Sequence, residues 1–314
     1  MKETHQRIFH KPILLNESLK LLLVDPSGIY VDGTMGGGGH SEAILMHLDK
    51  KGKLIGIDRD GDAIAHCRER FHSFGARVHI VKGEFGKVDC LLAGLGFSKI
   101  HGFFLDLGVS SFQIDTEERG FSYLSDGPLD MRMDSSAVAS AKNVINDYSE
   151  RHLEDIFFKY GEERYARRIA RKIVEERKKR SIETTGALAD LVRSITPSKG
   201  HLKTLSRIWQ AIRIEVNDEI SQLKEGLERI IPFLIPGGRI VVLSYESLSD
   251  RLVKRFFRGE EPTFSRKDEP KPRSVCCFRV LTRRVVRPTE EEVRNNPRAR
   301  SARLRAAEKT TNRY

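Results

Sequence analysis

Val31-Asp32-Gly33-Thr34-Met35-Gly36-Gly37-Gly38-Gly39-His40, followed by Leu54-Ile55-Gly56-Ile57-Asp58, decides how this chain folds. Gly28-Ile29-Tyr30-Val31 reads as an apolar strand that enters a loop with five glycines in seven residues. The loop opens onto a helix-like segment, Ser41-Glu42-Ala43-Ile44-Leu45-Met46-His47-Leu48, and a second apolar strand then ends on an acid, Asp58. Glycine lets backbone approach a ligand where a Cβ would collide. A carboxylate at the next strand's end can accept both hydroxyls of a ribose. Together they describe a nucleoside site at the carboxyl edge of a parallel sheet.

The loop also selects among nucleosides. A dinucleotide site wants G-x-G-x-x-G with a pyrophosphate on the helix N-terminus. Counting from Gly36, the third glycine of that pattern falls on Ser41, and the loop begins with an acid, Asp32. That anion would repel phosphates and attract the ammonium and sulfonium of S-adenosyl-L-methionine. No Gly-Lys-Ser/Thr follows, which excludes a Walker loop. The competing reading is a tight turn with no ligand, but each glycine costs roughly 0.5–1 kcal/mol of chain entropy. A loop this rich in glycine calls for a stronger reason than a turn.

A chain of 314 residues has ample length for a buried core, in one large or two modest domains. Its hydrophobic content of 39% and charged content of 32% fit a soluble globular protein. Residues 1–7 lack the apolar stretch of a signal peptide, and no apolar run approaches a membrane span, so a cytoplasmic protein without a membrane partner is expected. Cys67, Cys90, Cys276 and Cys277 show no CxxC pairing; they suit a reducing cytosol, and no metal site is expected. The net charge of +11 points to a polyanionic partner, since cations bound to phosphates release counterions.

Strand candidates at 29–32, 54–58, 78–82 and 102–107, separated by helical stretches such as 61–71, give a βαβα rhythm and a doubly wound sheet. Residues 112–138 then form a loop rich in Asp, Gly, Ser and Met. From about 143 to 215 the pattern is wholly helical, with helices expected at 150–160, 162–180, 185–194 and 205–231. A Pro236-Gly237-Gly238 turn feeds an apolar strand running to Tyr245, then a helix (248–258) and an apolar run (275–281). The expected organisation is a discontinuous cofactor-binding domain (1–111 and 216–286), a helical insertion (112–215) and a basic, extended C-terminal tail (287–314).

In such a sheet, ligands sit outside the carboxyl ends of the strands. The glycine loop with His40, Asp58, Gly83-Glu84-Phe85 and Asp106-Leu107-Gly108-Val109-Ser110-Ser111 therefore converge. Asp58 would bind ribose, and Phe85 can lie flat against adenine or serve as core. Asp106 ends the apolar Phe103-Phe104-Leu105, so its carboxylate must face a ligand, face a cation or cap the following turn.

The segments Asp32–Ser41 and Asp106-Leu107-Gly108-Val109-Ser110-Ser111-Phe112-Gln113 resemble the ribosomal RNA small-subunit methyltransferase H family, also called MraW. So do Arg119-Gly120-Phe121-Ser122, residues 127–134, Tyr160-Gly161-Glu162-Glu163-Arg164, Gln210-Ala211-Ile212-Arg213-Ile214 and Asn296-Pro297-Arg298-Ala299-Arg300-Ser301. These motifs run in order from about His10 to Glu308. The resemblance implies the fold class: α/β, a Rossmann-like class I methyltransferase sheet with an inserted all-helical domain. It implies an enzyme that uses S-adenosyl-L-methionine to methylate the exocyclic N4 of one cytidine in the decoding region of 16S ribosomal RNA. Carried over by residue, Gly38, Gly39, His40, Asp58, Phe85, Asp106 and Gln113 would be the cofactor contacts, and the helical insertion would help recognise RNA.

A cytosine amino group is a poor nucleophile, because its lone pair is delocalised into the ring. An enzyme helps by accepting hydrogen bonds from the amino hydrogens and aligning nitrogen with the sulfonium methyl. Amino methyltransferases generally resemble one another in an Asp/Asn-Pro-Pro-aromatic motif at the fourth strand end; here Asp-Leu-Gly-Val-Ser-Ser stands there. Asp106 and the loop behind it are the candidate amine acceptors, unless Asp106 serves the cofactor alone. The target base must be unstacked, and Phe112, Phe121 and Tyr123 could receive it or simply pack. On residues 162–180, Tyr165, Ile169 and Ile173 form a buried stripe flanked by Arg164, Arg167, Arg168, Arg171 and Lys172, with Arg177-Lys178-Lys179-Arg180 at the end. Arg164, Arg168, Arg171 and Lys172 are the candidate RNA contacts; the alternative is a solvated face whose last cations complement the helix dipole.

One departure concerns the substrate side. Where the family usually reads Ser-Phe-His-Ser-Leu-Glu-Asp-Arg, this chain has Ser244-Tyr245-Glu246-Ser247-Leu248-Ser249-Asp250-Arg251, with Glu246 for the histidine. Glu246 motivates a second reading, a ribosome-assembly or RNA-binding factor that retains the cofactor site with little turnover. A third is an enzyme acting on DNA or protein, or an NAD-dependent oxidoreductase. Free RNA versus the assembled small subunit, and monomer versus homodimer, are left open.

Overall fold

The computed structural model of the chain describes residues 12–261 and 277–311. The opening segment with His10, and Val275 and Cys276 of the expected strand at 275–281, lie outside the described residues. Seven strands are present among them: β1 (Ile29–Asp32), β2 (Lys53–Asp58), β3 (Val78–Lys82), β4 (Ile100–Asp106), β5 (Leu234–Ser244), β6 (Phe278–Val280) and β7 (Arg303–Lys309). They form one sheet in the order β3-β2-β1-β4-β5-β7-β6. The first five are parallel, and β7 runs antiparallel to both β5 and β6. Runs such as Leu54-Ile55 with Ile57, Phe103-Phe104-Leu105 and Ile240–Leu243 are buried throughout, which is what a parallel sheet covered on both faces requires. The expected Rossmann-like α/β sheet is therefore present. Its strand order reverses between β1 and β4, the crevice where such sheets hold ligands.

Contacts divide the chain into two compact units, one comprising Val109–Ile220 and the other the residues before and after it. In the first, the helices Ala141–Asp147, Glu150–Lys159, Ala166–Arg177, Thr185–Ile195 and His201–Asn217 enclose a core that includes Leu153, Phe157, Ile169, Ile173, Leu188 and Ile208. The Met-rich loop belongs to that core: Met131 is fully buried, and Asn217 locks it by accepting from Met133 N (2.8 Å) and donating to Met131 O (2.8 Å).

Three elements differ from expectation. Asp218, at φ 48, splits the helix expected at 205–231 into His201–Asn217 and Glu219–Arg229. The helix expected at 162–180 starts only at Ala166, because Glu162 sits at φ 51. The supposed tail is not a tail: Arg303–Lys309 is β7, paired on both edges inside the sheet. Its buried residues are Leu304, Arg305, Ala306 and Ala307, one bulky apolar side chain among alanines and charge, so neither composition nor β propensity marks the strand. No helix among the described residues is long and apolar enough to cross a membrane.

Candidate active site

The glycine loop is organised by the acids at its two ends. Asp32, 1% exposed, accepts from Thr34 N (3.1 Å) through Oδ1 and from the Ser41 hydroxyl (2.7 Å) through Oδ2. It staples the loop to the first turn of helix Gly39–His47 and does not present a free carboxylate to a ligand, as the sequence reading had it. Gly36 N donates to Asp58 Oδ2 (2.7 Å) and Asp60 N to Asp58 Oδ1 (2.8 Å), so Asp58 is held in place at the end of β2. Each of its oxygens has a second lone pair available to a further donor.

The glycines serve different ends. Gly38 adopts φ 81, and a Cβ there would lie 2.7 Å from the Phe71 ring; a Cβ on Gly39 would lie 2.5 Å from Pro12. Both are thus required by packing against the protein itself. Gly36, also at positive φ, faces open space, with its nearest atom Thr34 O at 3.9 Å.

Four residues from three distant parts of the chain meet where β4 ends. Asp106 N donates to Thr34 Oγ1 (2.6 Å), and the Tyr245 hydroxyl, just past β5, donates to Asp106 Oδ1 (3.0 Å). His40 Nδ1 lies 3.5 Å from Asp106 Oδ2. The other ring nitrogen, Nε2, is 3.1 Å from Ile13 O. A carbonyl only accepts, so Nε2 carries the proton and Nδ1 turns a lone pair toward the carboxyl. The ring lies 4.6 Å from Phe104, centroid to centroid.

Burial sets the charges here. It pushes Asp106 up to about 7, helped by the charge of Asp32 and opposed by the Tyr245 hydrogen bond. Burial raises Asp32 to about 6, and it raises Asp58 as well. It lowers His40 to about 4, leaving the imidazole neutral at physiological pH. Three carboxyl groups whose ionisation is held back in one place form a site that a cationic ligand would relieve.

The other candidates are more scattered. Phe85 begins a short turn after β3 and packs on helix Glu219–Arg229, where a Cβ on Gly226 would come 2.8 Å from its ring. It also borders Gly33, so it stands beside the loop. Gln113 belongs to the helical unit, where it forms a capping box with Ser110: its Oε1 accepts from Ser110 N (3.0 Å). Arg164 and Arg168 are exposed, and neither forms an ion pair among the described residues. Arg171 lies 3.6 Å from Glu150, and Lys172 bridges Glu176 at 2.9 Å. Arg177 of the terminal basic run turns inward to the carbonyls of Ile145 and Tyr148. Phe121 is buried in the helical core and Tyr123 sits edge-on to Trp209, so both pack. Glu246 is the N-cap of helix Ser247–Phe257, accepting from the backbone of Leu248 and Ser249.

Sequence reading missed Thr34, Ser41 and Tyr245. A usable signal existed for Tyr245, which directly follows β5 at the same sheet edge where Asp106 ends β4. None existed for the hydroxyls, because nothing local tells a loop Ser or Thr that holds a carboxylate from one that is solvated.

The profile of the MraW methylase family matches residues 7–310. A ribosomal RNA small subunit methyltransferase H from Carboxydothermus hydrogenoformans is 47% identical over 309 residues, covering 96% of this chain and 97% of its own. The protein of the same name from Chloroherpeton thalassium is 48% identical over 320 residues, covering 96% and 98%. Among solved structures, a SAM-dependent O-methyltransferase from Thermotoga maritima covers 97% of this chain and 69% of its own at 11% identity and a TM-score of 0.40, a remote likeness.

Proposed function

The chain belongs to the MraW methylase family, and from that premise we propose that it is an S-adenosyl-L-methionine-dependent methyltransferase of small-subunit ribosomal RNA, acting on N4 of a cytidine in the decoding region. The observation that carries the reading is the half-buried Asp106 carboxyl at the end of β4, held by Tyr245 and faced by a neutral His40. A base amino group needs an acceptor for its hydrogens, and this carboxyl is placed to serve as one.

The residues present fit the cofactor. Asp58 offers two oxygens to a ribose diol, Gly36 leaves open space beside it, and the carboxyl groups of Asp32, Asp58 and Asp106 favour a cation. When bound, the cofactor supplies a methyl group on a positively charged sulfur. Asp106 then accepts a hydrogen bond from the amino group, which pushes the nitrogen lone pair toward that methyl, and takes up the proton released on transfer. His40 is neutral and its Nδ1 carries no proton, so it cannot compete as a donor to the target. The helical unit would contribute RNA contacts through Arg164, Arg168, Arg171 and Lys172, with Gln113 among the cofactor contacts alongside Gly38, Gly39, His40 and Phe85.

The second reading, a binding factor with little turnover, rested on Glu246. That carboxylate caps a helix, a role in which glutamate needs no catalytic counterpart. The two readings part when the protein is incubated with methyl-labelled cofactor and small subunits from a strain lacking the modification. Mass mapping should find new N4-methylcytidine. Cofactor binding without any methylated base would leave the binding factor as the answer.

A further inference from the structure

Asp106 is faced from every side by identifiable groups. Thr34 takes its backbone N–H, His40 approaches Oδ2 from helix Gly39–His47, Asp32 acts on it from β1, and Tyr245 reaches Oδ1 from beyond β5. Tyr245 is in turn under the negative field of Glu292, on helix Glu290–Asn295, whose Oε1 accepts from Leu14 N (2.8 Å). None of these neighbours is a cation. Among the described residues, the Tyr245 hydroxyl is the hydrogen-bond donor to the Asp106 carboxyl.

We infer that Tyr245 is a positioning residue for the methyl-transfer reaction, its hydroxyl pinning Oδ1 of Asp106 so that Oδ2 is the oxygen presented to the target amino group. The geometry supports this in two ways. With Oδ1 engaged at 3.0 Å, rotation of the carboxyl is restricted, and Oδ2 accepts no hydrogen bond among the described residues; His40 Nδ1 lies 3.5 Å from it with its lone pair turned toward it. A phenol that donates to an ionised carboxylate also favours that ionised form, opposing the burial and the Asp32 charge that favour the proton. The hydroxyl thereby keeps Asp106 able to accept a proton at lower pH than a phenylalanine there would allow. Tyr245 itself stays protonated, because burial holds its hydroxyl well above the ordinary tyrosine range.

The inference rests on the methyltransferase reading, and its test separates the two. Aspartate carboxyl carbons are labelled with 13C in the ligand-free protein, and the Asp106 signal, identified by its loss in Asp106→Asn, is titrated in wild type and Tyr245→Phe. Removing the hydroxyl should make Asp106 bind its proton about tenfold more tightly, moving the midpoint up by about one pH unit. In parallel, the acid limb of the kcat–pH profile should move up by the same amount, so that Tyr245→Phe is several-fold slower at pH 6.5 and approaches wild type by pH 9. An unmoved carbon midpoint overturns the inference. So does a loss of kcat that is equal at every pH, which is what a merely structural contribution produces. A wild-type protein that transfers no methyl group refutes the enzyme reading instead, and the carbon titration still decides whether Tyr245 controls Asp106.

Discussion

Asp106→Asn should make the ligand-free protein more stable at neutral pH while abolishing methyl transfer. The Asp106 carboxyl moves from 3.8 in the open chain to about 7 in the fold, mainly by burial. The folded state therefore binds the proton more tightly than the unfolded state. Stability from this group is greatest below pH 3.8 and is lost as pH rises toward 7. That interval is roughly three pH units, each worth about 1.36 kcal/mol, for a ceiling of roughly 4 kcal/mol. The side chain is 27% exposed, so solvent recovers part of the charge and a cost of about 2 kcal/mol is the better figure. Asparagine copies the protonated acid: its carbonyl can accept from Tyr245, and its amide can donate to His40 Nδ1. Thermal unfolding at pH 8 should show the variant melting roughly 3–6 °C above wild type. At pH 4 the difference should vanish. A variant that is destabilised equally at both pH values would refute the reasoning, because Asp106 would then be paid for by contacts that need its charge.

The same electrostatics predict that binding of S-adenosyl-L-methionine tightens several-fold between pH 6 and 8 and releases protons. The demethylated product, lacking the sulfonium charge, should show a weaker dependence; calorimetry in buffers of different ionisation heat would read both, and proton uptake would contradict the site's charge logic. Gly38→Ala should cost about 2–3 kcal/mol in urea unfolding, combining left-handed strain with the collision at Phe71. Gly36→Ala should cost only about 1–2 kcal/mol, because its Cβ has room; if it also weakens cofactor binding, the open space is the ligand's. Replacing Arg164 and Arg168 together should lower RNA affinity and flatten its salt dependence by about two counterions without changing cofactor affinity. Lys172→Ala, whose ammonium already bridges Glu176, should do less; the opposite ranking in a filter-binding salt series would move the RNA surface elsewhere.

Much of the fold could be read directly because its signals are local. An apolar run ending in Asp, a glycine loop and a helix can be recognised within one βαβ unit, and β1 to β5 each contain an apolar run that marks the strand. The strand β7 was hidden because Leu304, Ala306 and Ala307 are embedded among Arg303, Arg305, Glu308 and Lys309, and the two alanines contribute pairing more than side-chain bulk. The helix break at Asp218 was invisible for a related reason: a non-glycine residue at positive φ leaves little mark on periodicity.

At the site, the sequence alone determined which residues stand at the carboxyl edge, since strand ends follow from where apolar runs stop; Asp58 and Asp106 were found that way. Only the tertiary structure decided what each acid does. Asp32 and Asp106 look alike in sequence, each an aspartate closing an apolar strand. Yet Asp32 is spent on Thr34 and Ser41, while Asp106 keeps one oxygen uncommitted beside His40 and is held at the other by a tyrosine 139 residues away. A carboxyl group's acidity and orientation depend on the dielectric and the donors packed around it, and those come from segments that meet only when the sheet is assembled.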